Sequence, residues 1–302
     1  MTCYSPLDAH NAGLTTSGKK LIKFGLPKSS GQESLQLPCG QCIGCRLARS
    51  QMWAVRCMHE NQQHQQSAFI TLTYDEEHLP HDNSLNPIHL QKFIRRYRKK
   101  YGKIRYLSVG EYGDKLSRPH YHAIIFGHEF TDTDIHSEEE GLITYHSPTL
   151  NTLWGKGYTT TGQVSIESAA YVARYCLKKI TGDQKNAHYE TTCQTTGEIR
   201  QLHPEFNNMS RRPGLALDWY KQFNTDIFPS DETVYQGKII KTPRYYEKQL
   251  EKADPGLLQT IKLSRKAKAL RHAADNTTDR LRQRHEVKLA QTTNLKRKLD
   301  EI

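Results

Sequence analysis

The sequence predicts an α+β fold: a central antiparallel β-sheet of about five strands, packed against helices and followed by a basic helical tail. Two patterns predict it. Short segments alternate apolar and polar residues, which is typical of half-buried strands. Between them lie segments whose apolar residues recur every three or four positions, which is typical of amphipathic helices. We find no internal repeat.

The strand pattern is clearest where apolar residues alternate with threonine, at residues 69–74. Another predicted strand is ended by Gly127, and a short one lies within an acidic insertion. The predicted strands are residues 69–74, 104–109, 119–126, 142–145 and 157–166. Residues 1–38 are rich in Gly, Ser and Pro, and we expect them to be irregular.

Two helix starts are marked by capping residues. Asn86 precedes a proline that suits the first helical turn, and Ser165 can cap a later helix. The predicted helices are about 43–64, the segment from Pro87, about 167–180, a short helix at Trp219 and Tyr220, and the tail from about Pro243.

Composition divides the chain into three predicted parts. Residues 1–66 form a cysteine-rich segment with a helix, and residues 67–228 contain the strands and the motifs described below. Residues 229–302 form a basic tail with few large apolar residues, so we expect it to be helical or partly disordered.

The charge of the chain favours a polyanionic partner. Its 302 residues include 43 Lys or Arg and 32 Asp or Glu, a net charge of +11. Ordinary solubility would also explain this surplus, but residues 261–302 alone carry 12 basic and 5 acidic side chains. No stretch approaches the roughly 20 apolar residues of a membrane span, so we expect no membrane association. The N-terminus shows no basic-then-apolar signal pattern, and we expect the protein to stay where it is made.

A carboxylate and two imidazoles are spaced to hold one metal ion. His120 and His122 lie two residues apart in a predicted strand and therefore face the same way. Glu111 can lie opposite them if its strand is the antiparallel neighbour. Such a set leaves positions on a divalent ion for water and a phosphate oxygen. Alternatively, His-x-His is simply part of an alternating strand.

Two tyrosines lie one turn apart on a predicted helix. Tyr171, Tyr175 and Lys178 occupy positions i, i+4 and i+7 and share one face. Because a phenol with a pKa near 10 is a weak nucleophile at neutral pH, a nearby cation must assist it. The alternative is a surface helix with two packing aromatics and solvated bases.

Three cysteines are close enough in sequence to share a metal ion. The chain has seven cysteines, and three of them form the run Cys39-Gly-Gln-Cys42-Ile-Gly-Cys45. A tetrahedral zinc site needs one more ligand, for which Cys3 is the best candidate. The alternatives are Cys57 or His59 as the fourth ligand, an iron–sulfur cluster, or free reduced thiols.

Several motifs together resemble one family. They are PCGQCIGC at 38–45, WAVR at 53–56, FITLTY at 69–74, GEYG at 110–113, RPHYHA at 118–123, YVARY at 171–175 and MSRRPG at 209–214. The chain resembles replication initiators of small single-stranded DNA phages, of the gokushovirus type within the Microviridae. These belong to the His-hydrophobic-His (HUH) endonucleases.

The resemblance implies roles for the singled-out residues. His120 and His122 would bind Mg²⁺ or Mn²⁺ with Glu111, and Tyr171 and Tyr175 would be the nucleophiles. Lys178 matches a lysine of the family's third motif. Two residues depart from the family pattern. Tyr121 stands between the histidines where an aliphatic residue is usual, and Arg174 stands where lysine is common, which makes its role less certain.

The activity implied is initiation of rolling-circle replication. A tyrosine would cut single-stranded circular DNA at its origin and stay bonded to the 5′ end. Host helicase and DNA polymerase would act with it in the bacterial cytoplasm, since no Gly-x4-Gly-Lys-Ser/Thr loop is present in the sequence. The alternatives are a transposase or relaxase with the same core, a nuclease that uses water, and a non-catalytic zinc-containing DNA-binding protein.

Overall fold

A seven-stranded antiparallel sheet forms the centre of the larger of two units in this computed structural model. One unit consists of residues 1–49 and 250–296, the other of residues 50–249 and 297–302. The structure describes residues 3–16, 18, 20–27, 34–113, 116–139, 142–175, 185–192, 196–235 and 237–293. The predicted division at residues 66 and 228 stays a prediction.

The strands in the described part of the chain are β1 (Leu7–Leu14), β2 (Lys20–Phe24), β3 (Ser34–Leu37), β4 (Ser67–Thr73), β5 (Arg105–Tyr112), β6 (Pro119–Phe126), β7 (Asp134–Glu139), β8 (Leu142–His146), β9 (Thr159–Gln163), β10 (Glu190–Thr192), β11 (Ile199–Gln201), β12 (Phe206–Met209), β13 (Glu232–Tyr235) and β14 (Lys238–Lys241). The helices are α1 (Ile43–Asn61), α2 (Pro87–Tyr101), α3 (Pro148–Trp154), α4 (Ile166–Tyr175), α5 (Lys185–Tyr189), α6 (Leu217–Phe223), α7 (Arg244–Ala253), α8 (Pro255–Arg271) and α9 (Thr278–Thr293). Two 3-10 helices are Asn224–Asp226 and Ala273–Asn276.

The central sheet has the strand order β12-β5-β6-β4-β9-β8-β7. Every neighbouring pair is antiparallel, which confirms the predicted fold class. The five predicted strands correspond to β4, β5, β6, β8 and β9. The other two, β7 and β12, lie at the sheet edges, so the sheet is two strands wider than expected.

Helices cover both faces of this sheet. On one face, α2 and α3 pack their apolar side chains against even-numbered residues of β4, such as Ile70 and Leu72. On the other face, α1 and α4 pack against Phe69 and the inward residues of β5 and β6. Because side chains alternate along a strand, the two faces receive different residues of the same strands.

Capping explains where two of these helices begin. The Asn86 side chain accepts a hydrogen bond from the amide of Ile88 before Pro87, as the sequence predicts. The Ser165 hydroxyl accepts from the amide of Ser168, and the Ser168 hydroxyl accepts from the Ser165 amide. These two reciprocal hydrogen bonds between Ser165 and Ser168 fix the start of α4 beside the sheet.

The prediction that residues 1–38 are irregular is wrong. In the smaller unit, β1 pairs with β2 and β3 to form a three-stranded antiparallel sheet. The many Gly and Ser residues of this segment obscure the alternating pattern of its strands in the sequence. The tail is helical as predicted, in α7, α8 and α9, but a hairpin of β13 and β14 precedes these helices. Among the described residues, no helix has the length and apolar character needed to span a membrane.

Candidate active site

The predicted metal ligands lie on two adjacent strands. Antiparallel pairing of β5 with β6 places Glu111 directly opposite His120, and Val109 opposite His122. All three candidate ligands therefore face the side of the sheet that α1 and α4 cover. Glu111 is fully buried, the His122 side chain is 2% exposed, and the His120 side chain is 16% exposed. One member of the set is thus reachable from solvent.

The ligand atoms converge on one carboxylate oxygen. Glu111 Oε1 lies 3.1 Å from His120 Nε2 and 3.0 Å from His122 Nε2. Burial alone would raise the pKa of Glu111, but the hydrogen bonds from His120 and His122 outweigh burial and lower it. The side chain is therefore an anionic carboxylate at neutral pH.

The second nitrogen of each imidazole is held by another residue. His120 Nδ1 lies 3.0 Å from the carbonyl oxygen of Arg118, which can only accept a hydrogen bond. Nδ1 therefore carries a proton, and a neutral ring in this tautomer would present the Nε2 lone pair to an ion. His122 Nδ1 lies 3.0 Å from the Thr71 hydroxyl, which can accept in the same way. Such partners orient metal-binding histidines in known metal sites.

These three residues fit a divalent ion. Two ligand atoms that lie about 2.1 Å from an ion at right angles are about 3.0 Å apart. That separation matches the measured distances of Glu111 Oε1 from the two Nε2 atoms, 3.1 and 3.0 Å. One atom from each of the three side chains lies within 4.8 Å of the others. Three electron-pair donors at this spacing repel one another unless a proton or a cation lies between them.

Helix α4 places one predicted nucleophile against this group. The ring of Tyr171 lies edge to face with that of His122, with centroids 5.1 Å apart, and also meets Phe69 edge-on. Tyr171 is 3% exposed and packs in the apolar layer between α4 and the sheet. Tyr175 is the last residue of α4, but its side chain lies outside the described residues, as does the whole of Lys178.

Comparisons with known proteins identify the family of this chain. A family model for replication-associated proteins of the ORF2 type matches residues 67–180, which include both strands and α4. Replication-associated protein VP4 of Bdellovibrio phage phiMH2K is 33% identical over 267 residues, covering 84% of this chain and 79% of the relative. Replication-associated protein ORF2 of Spiroplasma virus 4 is 31% identical over 297 residues, covering 90% and 88%.

The chain belongs to the replication-associated proteins of Microviridae-like phages. Replication-associated protein ORF4 of Chlamydia phage 1 is a third relative, 31% identical over 231 residues, which cover 73% of this chain and 55% of the relative. No solved structure matches the chain. Membership of this family confirms the predicted resemblance.

A second cluster in this family member comprises the four predicted cysteines. One sulfur from each of Cys3, Cys39, Cys42 and Cys45 lies within 4.8 Å of the others. Cys3 Sγ is 3.6 Å from Cys39 Sγ and 3.9 Å from Cys42 Sγ. The two alternative ligands are placed differently: Cys57 lies in the apolar core of the sheet unit, and His59 Nδ1 contacts the hydroxyl of Tyr246.

Backbone amides surround these sulfurs. The amide of Tyr4 donates to Cys42 Sγ and that of Cys42 to Cys39 Sγ, each at 3.3 Å. Burial opposes ionisation of Cys42, but backbone hydrogen bonds from Tyr4 and Cys45 help to lower the pKa of this thiol to about 7. Burial raises the pKa of the Cys3 and Cys45 thiols, so a metal would have to displace their protons. Cysteine sulfurs at this spacing, once deprotonated, are the donors that tetrahedral zinc prefers.

Sequence reasoning missed the residues that support the histidines. Thr71 and Arg118 lie in motifs that the sequence already singles out, yet no role follows from their residue types alone. Thr71 becomes recognisable only when the register is known, because β4 pairs it with His122. Arg118 contributes its backbone carbonyl, which carries no signal in the sequence.

Proposed function

We propose that this chain initiates rolling-circle replication of phage DNA by cutting a single strand at the origin and bonding to it through tyrosine. The observation that supports this most directly is the contact of the Tyr171 ring with His122, whose Nε2 lies 3.0 Å from Glu111. A ring that meets a candidate metal ligand at 5.1 Å puts a phenol and an ion-binding group in one small space.

The proposed reaction exchanges one phosphodiester for another. A divalent ion held by Glu111, His120 and His122 would polarise the scissile phosphate and offset the charge that develops in the transition state. Tyr171 or Tyr175 bonds through its phenolic oxygen to phosphorus and gives its proton to solvent. The bond to the 3′ oxygen breaks, and that oxygen leaves as a hydroxyl after taking up a proton.

The products suit replication. The free 3′ hydroxyl primes a host polymerase behind a host helicase, inside the infected bacterial cell. The 5′ phosphotyrosine retains the energy of the broken ester, so rejoining needs no ATP. After one round the second tyrosine attacks the regenerated origin, and the released hydroxyl reseals the circle. Lys178, one turn beyond Tyr175 in the sequence, would stabilise the phosphate or the phenolate.

The cations proposed for the two sites differ because their donors differ. Oxygen and imidazole donors with an open position suit Mg²⁺ or Mn²⁺ for the reaction. Four cysteine sulfurs suit a structural Zn²⁺ that has no open position. The surplus of basic side chains in residues 261–302 would hold the DNA backbone in a salt-sensitive way.

The test uses the single-stranded circular form of the genome that encodes this chain. We expect Mg²⁺ or Mn²⁺ to produce a linear strand with protein attached in denaturing gels, and peptide mapping to find the DNA on Tyr171 or Tyr175. Replacement of both by Phe abolishes the attachment. Tyr101→Phe, in α2 on the opposite side of the sheet, is the matched control and retains it.

Two results would replace this proposal with another function. Cut DNA without attached protein, unchanged by the double Phe variant, would mean that water is the nucleophile. Binding without any cutting under either metal would mean a DNA-binding protein in which these side chains are structural.

A further inference from the structure

A cavity of about 460 Å³ lies beside the candidate metal ligands, on the same face of the sheet. Register establishes the shared face, because Thr71 lies opposite His122 in β6 and opposite Thr160 in β9. The cavity runs from Thr71 across β9 toward the hairpin of β7 and β8. The residues that matter below are Thr160, Tyr158, His136, His146, Glu76 and Arg118.

Two residues that line the cavity also form hydrogen bonds with the candidate metal ligands. Thr71 lines the cavity and contacts His122 Nδ1, and Arg118 lines it and accepts from His120 Nδ1 through its carbonyl. A phosphate bound to an ion at Glu111, His120 and His122 would therefore have a neighbouring nucleotide close to this cavity.

The chemistry of the walls suits a nucleobase better than a phosphate. Asp75 and Glu76 line the cavity; the Asp75 carboxylate accepts hydrogen bonds from His78, and the guanidinium of Arg118 is paired with Glu76 at 2.6 Å. Anionic walls repel a phosphate, whereas carboxylates and hydroxyls accept hydrogen bonds from the amino groups of bases. The remaining polar groups are hydroxyls and imidazoles, which can exchange hydrogen bonds with base edges.

An aromatic ring at the rim offers a stacking surface. The side chain of Tyr158 is 71% exposed, although its backbone is fixed by bonds from Thr73 to the Tyr158 carbonyl. Exposed aromatics on a fixed backbone are the usual platforms for single-stranded bases. The volume also lies in the range of about 300–1,000 Å³ that is typical of ligand pockets.

We propose that this cavity receives one base of the single strand, that of the nucleotide adjoining the scissile phosphate, and so contributes to the choice of cutting site. The inference rests on the proposed cutting activity and adds a base-reading subsite to it. Tyr158 stacks on the base, and His146 and Thr160 contact its edge.

The experiment uses short single strands that carry the cut site mapped on the encoding genome, with Mn²⁺. One series has each base near the cut replaced by the other three, and a second has an abasic nucleotide at each position in turn. We expect one adjoining position at which the wild-type chain slows by about tenfold when the base is missing. A variant with Tyr158→Ala and His146→Ala cuts all strands of both series at that position at similar rates.

Ile135→Ala is the matched control, since Ile135 is 67% exposed in β7 and does not line the cavity. It retains the wild-type preference. If the wild-type chain cuts abasic strands equally well at every flanking position, the inference is overturned whatever the variants do. The same holds if the double variant keeps the wild-type preference. If the wild-type chain cuts no strand at all, the proposed function itself is wrong.

Discussion

Replacing Thr71 by Val tests whether the Glu111, His120 and His122 group binds a metal ion. The change keeps the shape of the side chain and removes the hydroxyl that lies 3.0 Å from His122 Nδ1. Thr71 is 5% exposed and His122 2%, so the His122 Nδ1 donor loses its partner at a buried position. Leaving a buried donor unsatisfied costs about 1–3 kcal/mol, which is a factor of about 5–150. Removing the hydrogen-bond partner of a metal-binding histidine typically weakens metal affinity by about 10–100-fold, which lies within this range.

We therefore expect Thr71→Val to weaken Mn²⁺ binding by about 10–100-fold. Titration followed by the paramagnetic resonance signal of free Mn²⁺ measures the Kd directly. Thr161→Val is the matched control: Thr161 is 5% exposed in the neighbouring strand, and its hydroxyl donates to the carbonyl of Phe69. It costs about 1 kcal/mol of unfolding free energy and leaves the Kd unchanged. Equal Mn²⁺ affinity in folded Thr71→Val and wild-type protein would refute the reasoning.

Three further predictions concern the cysteine cluster, the core and the sheet. Cys42→Ser reduces zinc, measured by elemental analysis of purified protein, from about one ion per chain to nearly none; unchanged zinc would rule the cluster out. Burial lowers the pKa of His59 from 6.5 to about 4, so the unfolded chain binds more protons and the unfolding free energy falls as pH drops from 6.5 toward 4. Urea unfolding at several pH values measures this, and His59→Gln should flatten the slope. Gly157→Ala costs about 3 kcal/mol in the same assay, because its φ is +134° and a Cβ would lie 2.2 Å from the Asp75 amide nitrogen. Gly155→Ala, in the left-handed helical region with φ of +58° and only an ordinary contact around its Cβ position, should cost only about 1 kcal/mol.

The sequence predicted correctly those helices and strands whose pattern lies within the element itself. The start of α2 follows from the Asn86 cap and the proline after it, and both are as predicted. The strands β4, β5 and β6 are buried on both faces and are rich in apolar residues, so their pattern is strong.

The missed elements depend on distant partners. Strand β12 contains two asparagines, which are poor strand formers, and exists because its backbone pairs with the edge of β5. Strands β2 and β3 both pair with β1, and neither is long. Pairing of this kind cannot be deduced from the composition of one segment.

The same distinction holds for the candidate site. The spacing of His120 and His122 and the position of Glu111 were sufficient to predict three atoms near one point, because they depend on one hairpin. The cavity beside them depends on β9 and on the β7–β8 hairpin, whose order in the sheet the sequence does not reveal. His136, His146 and Tyr158 therefore carried no recognisable signal.

Tyr121, the departure between the two histidines, has a physical explanation. Because side chains alternate, it points to the sheet face opposite His120 and His122 and is fully buried there. Its hydroxyl exchanges hydrogen bonds with the Tyr74 hydroxyl at 2.8 Å and with the backbone of Asn86 at 2.9 and 3.0 Å. A buried phenol is tolerated only when such partners exist. One residue thus ties the strand that carries both histidines to the start of α2, which an aliphatic side chain could not do.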